Sequence, residues 1–128
     1  MKVNHKGIRA KNIYLRDHGL KGQKYKLSPG YYKQIVKSED DSYCLRLFIE
    51  IKNTDENPFP MDISLEFETI FTFSEFESVD EIYNYLNLNA IQMIFPYMRT
   101  ALTSIVTSAL MPPLVLPIID VRQFKDKN

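Results

Sequence analysis

Residues 42–53, SYCLRLFIEIKN, alternate with a period of two residues, which predicts a β-strand with one buried face. The side chains of that face are Tyr43, Leu45, Leu47, Ile49 and Ile51. Residues 61–74, MDISLEFETIFTFS, repeat the pattern after a loop, NTDENPFP, that contains turn formers and prolines. Two long alternating strands joined by a short loop are expected to be antiparallel neighbours in a sheet covered on one side.

The N-terminal third predicts two further strands. GIRAKNIYLRD alternates imperfectly and indicates a strand from Ile8 to Arg16, and GYYKQIVKS at residues 30–38 indicates another. Four antiparallel strands ahead of any helical signal are typical of an α+β fold rather than a parallel α/β sheet. A chain of 128 residues fits one domain, residues 1–128.

Helical signals begin after the strands. Ser78, followed three residues later by Glu81, forms a capping box that predicts a short helix over residues 79–87. Residues 90–120, AIQMIFPYMRTALTSIVTSALMPPLVLPIID, follow, and Arg99 is the single charge before Ile119. The first part of this stretch predicts a long helix. We therefore expect a four-stranded antiparallel sheet with a long helix and a short one packed on one face.

The apolar stretch is not expected to enter a membrane. Consecutive prolines should end its helix at about Leu110, which leaves a helix that begins near Ile91 or Phe95. Arg99 and several Ser and Thr residues lie within that part. The segment that follows, MPPLVLPII, is apolar and proline-rich, so we expect it to be extended and to lie over the sheet or rim a hydrophobic groove.

The long helix has two uncharged faces. Its apolar stripe, predicted to pack on the sheet, is Phe95, Met98, Leu102, Ile105 and Ala109. Its opposite stripe is Thr100, Thr103, Ser104, Thr107 and Ser108, with none of the Lys or Glu residues that a solvated face normally carries. Small residues at this spacing let two helices approach closely, so we predict self-association across a twofold axis. The alternative is an ordinary neutral surface.

The charges are segregated along the chain although the net charge is zero. Residues 1–38 contain ten Lys or Arg and one acidic residue, whereas residues 39–88 contain two basic and thirteen acidic residues. We expect the basic and acidic strands to pair within one sheet, because opposite charges on neighbouring strands attract. The adjacent acidic block argues against nucleic-acid binding.

The residue types needed for catalysis or metal binding are not arranged for either. His5 and His18 lack metal-ligand spacing with Cys or carboxylates, and Cys44 is a lone cysteine in a strand, where it is usually inert packing. No glycine-rich phosphate loop is present. We therefore expect no catalytic residue, no metal, no cofactor and no enzymatic activity. The single cysteine and a polar, basic N-terminus without a signal sequence favour the cytoplasm.

The second half of the chain resembles the SecB protein-export chaperones. In that family a phenylalanine-proline-tyrosine opens the long helix, an arginine follows, and a proline-rich crossover comes after the helix. These features match FPY at residues 95–97, Arg99, and MPPLVLP at residues 111–117. IYLRD at residues 13–17 is similar to the family's first-strand motif. DDSYCLRLFIEI and ETIFTF also fall where its central strands fall, so the resemblance covers residues 8–124.

The resemblance implies a function as well as a fold. SecB proteins form dimers of dimers with their long helices at the interface, and they hold unfolded polypeptides in apolar grooves without ATP. By position, the expected client-binding residues are Phe71, Phe73, Phe95, Met98, Met111, Leu114 and Leu116. The alternative for most of them, and above all for Phe71 and Met98, is that they are ordinary core.

Three departures from the family pattern bear on whether the protein has a translocase motor as its partner. The chain is neutral rather than acidic, and it ends at RQFKDKN without the usual second helix and tail, as expected of a short, divergent member. The acidic sheet positions that engage a translocase motor are not clearly matched around Asp62 and Ser64. Three functions therefore remain open: export holdase, dedicated chaperone of a toxin–antitoxin component, and a scaffold or apolar-ligand-binding protein on the same fold.

Overall fold

The computed structural model describes residues 1–21 and 24–127 and contains one mixed β-sheet with two helices. The strands are β1 Lys2–Asp17, β2 Gly30–Lys37, β3 Tyr43–Ile51, β4 Met61–Ser74 and β5 Lys125–Asp126. The helices are α1 Val79–Asn87 and α2 Asn89–Ser108, and a short 3-10 turn covers Val121–Gln123. In the sheet the order is β1-β4-β3-β2-β5. The predicted α+β class and the four antiparallel strands are confirmed.

The predicted strand count needs one correction, because β5 adds a fifth strand parallel to β2. It pairs only Lys125 with Tyr32 and Asp126 with Lys33. Two residues are too few to give an alternating pattern, so the sequence contained no signal for this strand. The amide of Lys127 extends the pairing by donating to the carbonyl of Lys33 at 2.8 Å.

The core lies between one face of the sheet and the helices. The predicted inward residues of β3 and β4 are buried from Tyr43 to Phe71, and α2 contributes Phe95, Met98 and Leu102 as predicted. The apolar stripe of α2 then continues through Val106, whereas Ile105 is only half-buried and Ala109 is exposed. The buried residue after Leu102 is Val106, four residues on, rather than Ile105, three residues on. Ala109 is exposed because it lies at the C-cap, where the helix ends.

The helix boundaries follow from local hydrogen bonds. Ser78 caps α1 by accepting a bond from the amide of Glu81 at 3.4 Å. The Glu81 carboxylate accepts from the amide of Glu77 at 2.9 Å, one residue before the donor of a standard capping box. Pro96 lies inside α2 and has no N–H, so the helix lacks the hydrogen bond that would reach back to Gln92.

Basic and acidic strands pair as predicted on the sheet face opposite the helices. The register of β1 and β4 places Arg16 beside Asp62 and Arg9 beside Glu68. Lys11 approaches the Glu68 carboxylate to 3.8 Å. The basic and acidic segments of the sequence therefore neutralise each other, because they form neighbouring strands of the sheet.

Asp62 fastens the end of β1 to the loop after β3, and this contact predicts a pH-dependent stability. The Asn53 amide donates to Asp62 Oδ1 at 2.7 Å, and His18 Nε2 lies 3.0 Å from Oδ2. The Asn53 hydrogen bond, followed by the contact with His18, lowers the pKa of the Asp62 carboxyl. A lowered carboxyl pKa stabilises the fold above the unfolded pKa, and this stabilisation is lost as pH falls below about 4.

We expect Asp62→Asn to lower the urea midpoint at pH 7 and to have a smaller effect at pH 3, below the ordinary carboxyl pKa, where the stabilisation by the ionised carboxylate is being lost. Urea unfolding at several pH values measures this difference, with Asp55→Asn in the exposed loop as the matched control. An equal loss at both pH values would mean that the ionised carboxylate contributes nothing to stability.

Candidate functional site

The crossover segment, residues 109–120, connects α2 to the 3-10 turn without regular secondary structure. Two side chains of α2 hold it. Arg99 donates from Nε and Nη2 to the carbonyl of Leu116 at 3.0 and 2.7 Å, and Thr103 Oγ1 donates to the carbonyl of Leu114 at 2.8 Å. Hydrogen bonds from charged donors contribute about 1.5–3 kcal/mol each. The single charge of the apolar stretch therefore has a structural role, as a tether for the crossover segment.

The tethered segment presents apolar side chains to solvent. Leu110 is 94% exposed, Ile118 is 83% exposed and Val115 is 64% exposed, whereas Leu116 is fully buried. Single exposed apolar residues are common on protein surfaces, whereas a series of them along one held segment is more typical of interaction surfaces.

Leu110 also has an unfavourable backbone conformation. Its φ is 61°, in the left-handed region that glycine normally occupies after a helix. The amide of Met111 donates to the carbonyl of Val106, and the amide of Leu110 donates to the carbonyl of Thr107, the two bonds of a Schellman motif. A leucine at this position carries a steric cost of about 1–2 kcal/mol that glycine would not.

A cavity of about 520 Å³, the Met111 groove, lies between the start of the crossover segment and the loops at one end of the sheet. Its size is typical of a binding pocket. Its apolar side chains include Leu20, Tyr25, Phe59, Leu110, Met111 and Leu114. The rings of Tyr25 and Phe59 meet edge to face with centroids 6.3 Å apart. The groove therefore combines rigid aromatic side chains with a flexible methionine, which adapts to varied partners.

The seven predicted client-binding residues divide into two groups. Phe71, Phe95, Met98 and Leu116 are buried in the core. Phe95, for example, packs edge to face on Tyr31 and Phe124. Phe71, Met98 and Leu116 support the surface of the chain rather than form it, whereas Phe95 also lines a cavity beside the first half of α2.

The other three predicted residues, Phe73, Met111 and Leu114, are half-buried. Met111 and Leu114 line the Met111 groove, whereas Phe73 lies near the far end of β4, stacked on Phe71. Sequence reasoning missed Leu110, Tyr25 and Phe59. For Leu110 a signal was present, because the residue stands where a helix ends just before two prolines.

The predicted self-association stripe is largely on the surface. Thr100, Ser104, Thr107 and Ser108 are exposed, and Thr103 is half-buried. Thr100 donates its hydroxyl hydrogen to the carbonyl of Pro96 at 3.1 Å, and the Thr107 hydroxyl lies 3.0 Å from the carbonyl of Thr103. Because these two threonine hydroxyls are satisfied within their own chain, Thr100 and Thr107 contribute methyl groups to the surface, and the stripe as a whole carries no charge.

Chemical groups elsewhere in the described chain give little reactivity. Burial raises the pKa of the Cys44 thiol, which favours the unreactive thiol over the thiolate. Within residues 1–21 and 24–127, no three His, Cys, Asp or Glu side chains cluster closely enough to hold a metal ion. No helix in these ranges has the length and hydropathy needed to cross a membrane.

The family model of the preprotein translocase subunit SecB matches residues 23–127, most of the chain. The chain belongs to the SecB family. The predicted resemblance is thereby confirmed.

A solved structure with the same fold is the SecB-like chaperone Rv1957 of Mycobacterium tuberculosis, in complex with a ChAD peptide from the HigA1 antitoxin. The TM-score is 0.74 at 15% identity, covering 92% of this chain and 91% of that one. The uncharacterized protein MJ0357 of Methanocaldococcus jannaschii is 26% identical over 104 residues. This match covers 79% of the SecB-family chain described here and 66% of the length of that relative.

Proposed function

We propose that this SecB-family protein is a holdase that binds unfolded polypeptide segments without ATP. Its client surface is the Met111 groove together with the exposed residues of the crossover segment. The protein acts in the cytoplasm as a single domain, and its copies associate through the Thr and Ser stripe of α2 into a dimer or a dimer of dimers.

The observation that carries this proposal is the conformation of Leu110. The side chain is 94% exposed on a left-handed backbone, so the residue carries both a steric cost and a solvation cost. Residues with strained backbones cluster at functional sites. An apolar client segment that covers Leu110 would recover the solvation cost and give the leucine its function.

The tethers on the crossover segment support the same role. Arg99 and Thr103 fix the carbonyls of Leu116 and Leu114, so the backbone beside the groove is ordered before a client arrives. Ordering in advance lowers the entropy lost on binding. The groove therefore combines a fixed backbone with an adaptable side chain, Met111, which suits clients of varied sequence.

For the client, we propose a dedicated polypeptide such as an antitoxin segment in preference to a range of exported proteins. The Rv1957 complex with an antitoxin peptide supports this choice by analogy of fold. Ion pairs on the sheet face opposite the helices, which an export motor would use, also support a dedicated client. On that face Glu68 is paired with Lys11, and Glu50 is paired with Lys127. A cationic motor segment would have to displace these partners.

The alternative of a scaffold with a closed groove agrees with part of the structure. Leu116 is fully packed, as that alternative requires. Leu114, however, is half-buried, and the Met111 groove beside it is open. We therefore place the holdase before the scaffold.

Light scattering tests the proposal. The particle mass is measured for the protein alone and mixed, at low salt and without nucleotide, with a permanently unfolded apolar polypeptide. We expect a defined oligomer that gains the mass of the client. The same polypeptide in a folded form is the control and should not bind. An oligomer that ignores the unfolded client would reject the holdase and favour the scaffold.

A further inference from the structure

A second cavity, the Arg99 groove, lies at the other end of the crossover segment, beside the first half of α2. Its volume is about 620 Å³. Its lining is mostly apolar, with Leu88, Pro96 and Ile118 among the side chains that form its walls. Leu88 and Ile118 are themselves exposed, so the groove is open to solvent.

The polar lining of the groove has a surplus positive charge. Arg99, Arg122 and Asp120 contribute two guanidinium groups and one carboxylate. Arg122 is committed to Asp120, with its Nε 3.0 and 3.1 Å from the two carboxylate oxygens. These hydrogen bonds lower the pKa of Asp120 to about 2, so this pair is fully ionised and mutually neutralised. The remaining charge is that of Arg99.

Arg99 has donors to spare. Of its five N–H groups, only those on Nε and Nη2 bond to the carbonyl of Leu116. No carboxylate of the described residues lies within ion-pairing distance of its guanidinium. A half-buried guanidinium next to apolar walls is a strong recognition element for a carboxylate, because the pair forms in a region of reduced dielectric.

We propose that the Arg99 groove binds the carboxylate of a client segment in which Asp or Glu lies between apolar side chains. The apolar neighbours fill the walls near Leu88, Pro96 and Ile118, and the carboxylate meets the free donors of Arg99. This inference rests on the proposed holdase function and adds the chemical class of client that the protein selects.

Two matched peptides test the inference. Both are apolar and unstructured, and they differ only in one central residue, Glu in the first and Gln in the second. We expect the wild-type protein to bind the Glu peptide about tenfold more tightly at low salt, and this preference should shrink as salt is raised. In Arg99→Gln both peptides should bind equally. Glutamine can still donate to the carbonyl of Leu116, so the crossover segment keeps its tether.

Two further variants separate local recognition from general charge. Arg9→Gln removes one positive charge from an exposed position on β1 and should leave the peptide preference unchanged. Arg99→Lys keeps the charge and should retain part of the preference, which also covers the case in which the Gln variant fails to fold.

The outcomes are distinguishable. If neither peptide binds the wild-type protein, the holdase proposal itself fails. If both bind equally well, the holdase stands and the carboxylate preference is overturned. If Arg99→Gln instead changes the particle mass and wild-type protein shows no peptide preference, the groove receives a carboxylate from a second copy, which also overturns the inference.

Discussion

Replacement of Phe71 by alanine is expected to lower the free energy of unfolding by about 3–5 kcal/mol. The side chain is fully buried and stacks on Phe73 with ring centroids 6.1 Å apart. Tyr85 contacts the same ring edge to face at 6.0 Å. Removing the ring would leave a cavity between β4 and α1, because the surrounding rings cannot move in without losing their own contacts. Urea denaturation of the purified variant measures the loss.

Phe73→Ala is the matched control for this prediction. Phe73 is the next inward residue on β4, but it is half-buried, so its removal should cost only about 1 kcal/mol. Binding of the unfolded polypeptide, measured below the unfolding transition, should be unchanged in Phe71→Ala. A variant that kept its stability and lost the client would return Phe71 to the client surface that the family resemblance implied.

The sheet was predictable because its strands bury one face each. Every second side chain is buried along β3, and along β4 as far as Phe71, and the predicted bounds agree with Tyr43–Ile51 and Met61–Ser74 to within two residues. In β1 the alternation is broken by register shifts between His5 and Ile8 and between Ala10 and Asn12. The first irregularity ends where the predicted strand begins, at Ile8, which explains why the sequence revealed only the part of β1 that follows it.

The start of α2 was not predictable, for a local reason. Leu88 is both the C-cap of α1 and the N-cap of α2, and its side chain makes no capping hydrogen bond. Two helices that share one cap residue leave no Ser, Thr, Asp or Asn signal between them. The expected start near Ile91 or Phe95 is therefore late by two to six residues relative to Asn89.

The client surface was predictable as a region and not residue by residue. Within the crossover segment, adjacent apolar residues have opposite fates, since Val115 is exposed and Leu116 is buried. Their hydrophobicity does not distinguish them. What distinguishes them is the hydrogen bonding of Arg99, which donates to the carbonyl of Leu116 and thereby fixes which side chains of the segment face the core. That contact joins residues 17 positions apart, beyond the reach of any local pattern.

Replacement of Leu110 by glycine is expected to raise stability and weaken client binding in the same protein. Glycine adopts the left-handed conformation without steric cost, so the free energy of unfolding should rise by about 1 kcal/mol. The exposed side chain that we assign to the client surface would be lost, and affinity for the unfolded polypeptide should fall about tenfold, as expected for one buried leucine. Urea unfolding and titration with labelled client measure the two effects.

Leu110→Ala separates the two causes. Alanine keeps a Cβ and with it the steric cost of the left-handed backbone, but it removes the same client contact. Both variants should therefore lose the same client affinity, while only the glycine variant gains stability. If Leu110→Gly binds client as tightly as wild type, the leucine is merely a tolerated helix end and the holdase surface must lie elsewhere. If both variants lose affinity equally, the strain at the end of α2 is maintained for client binding.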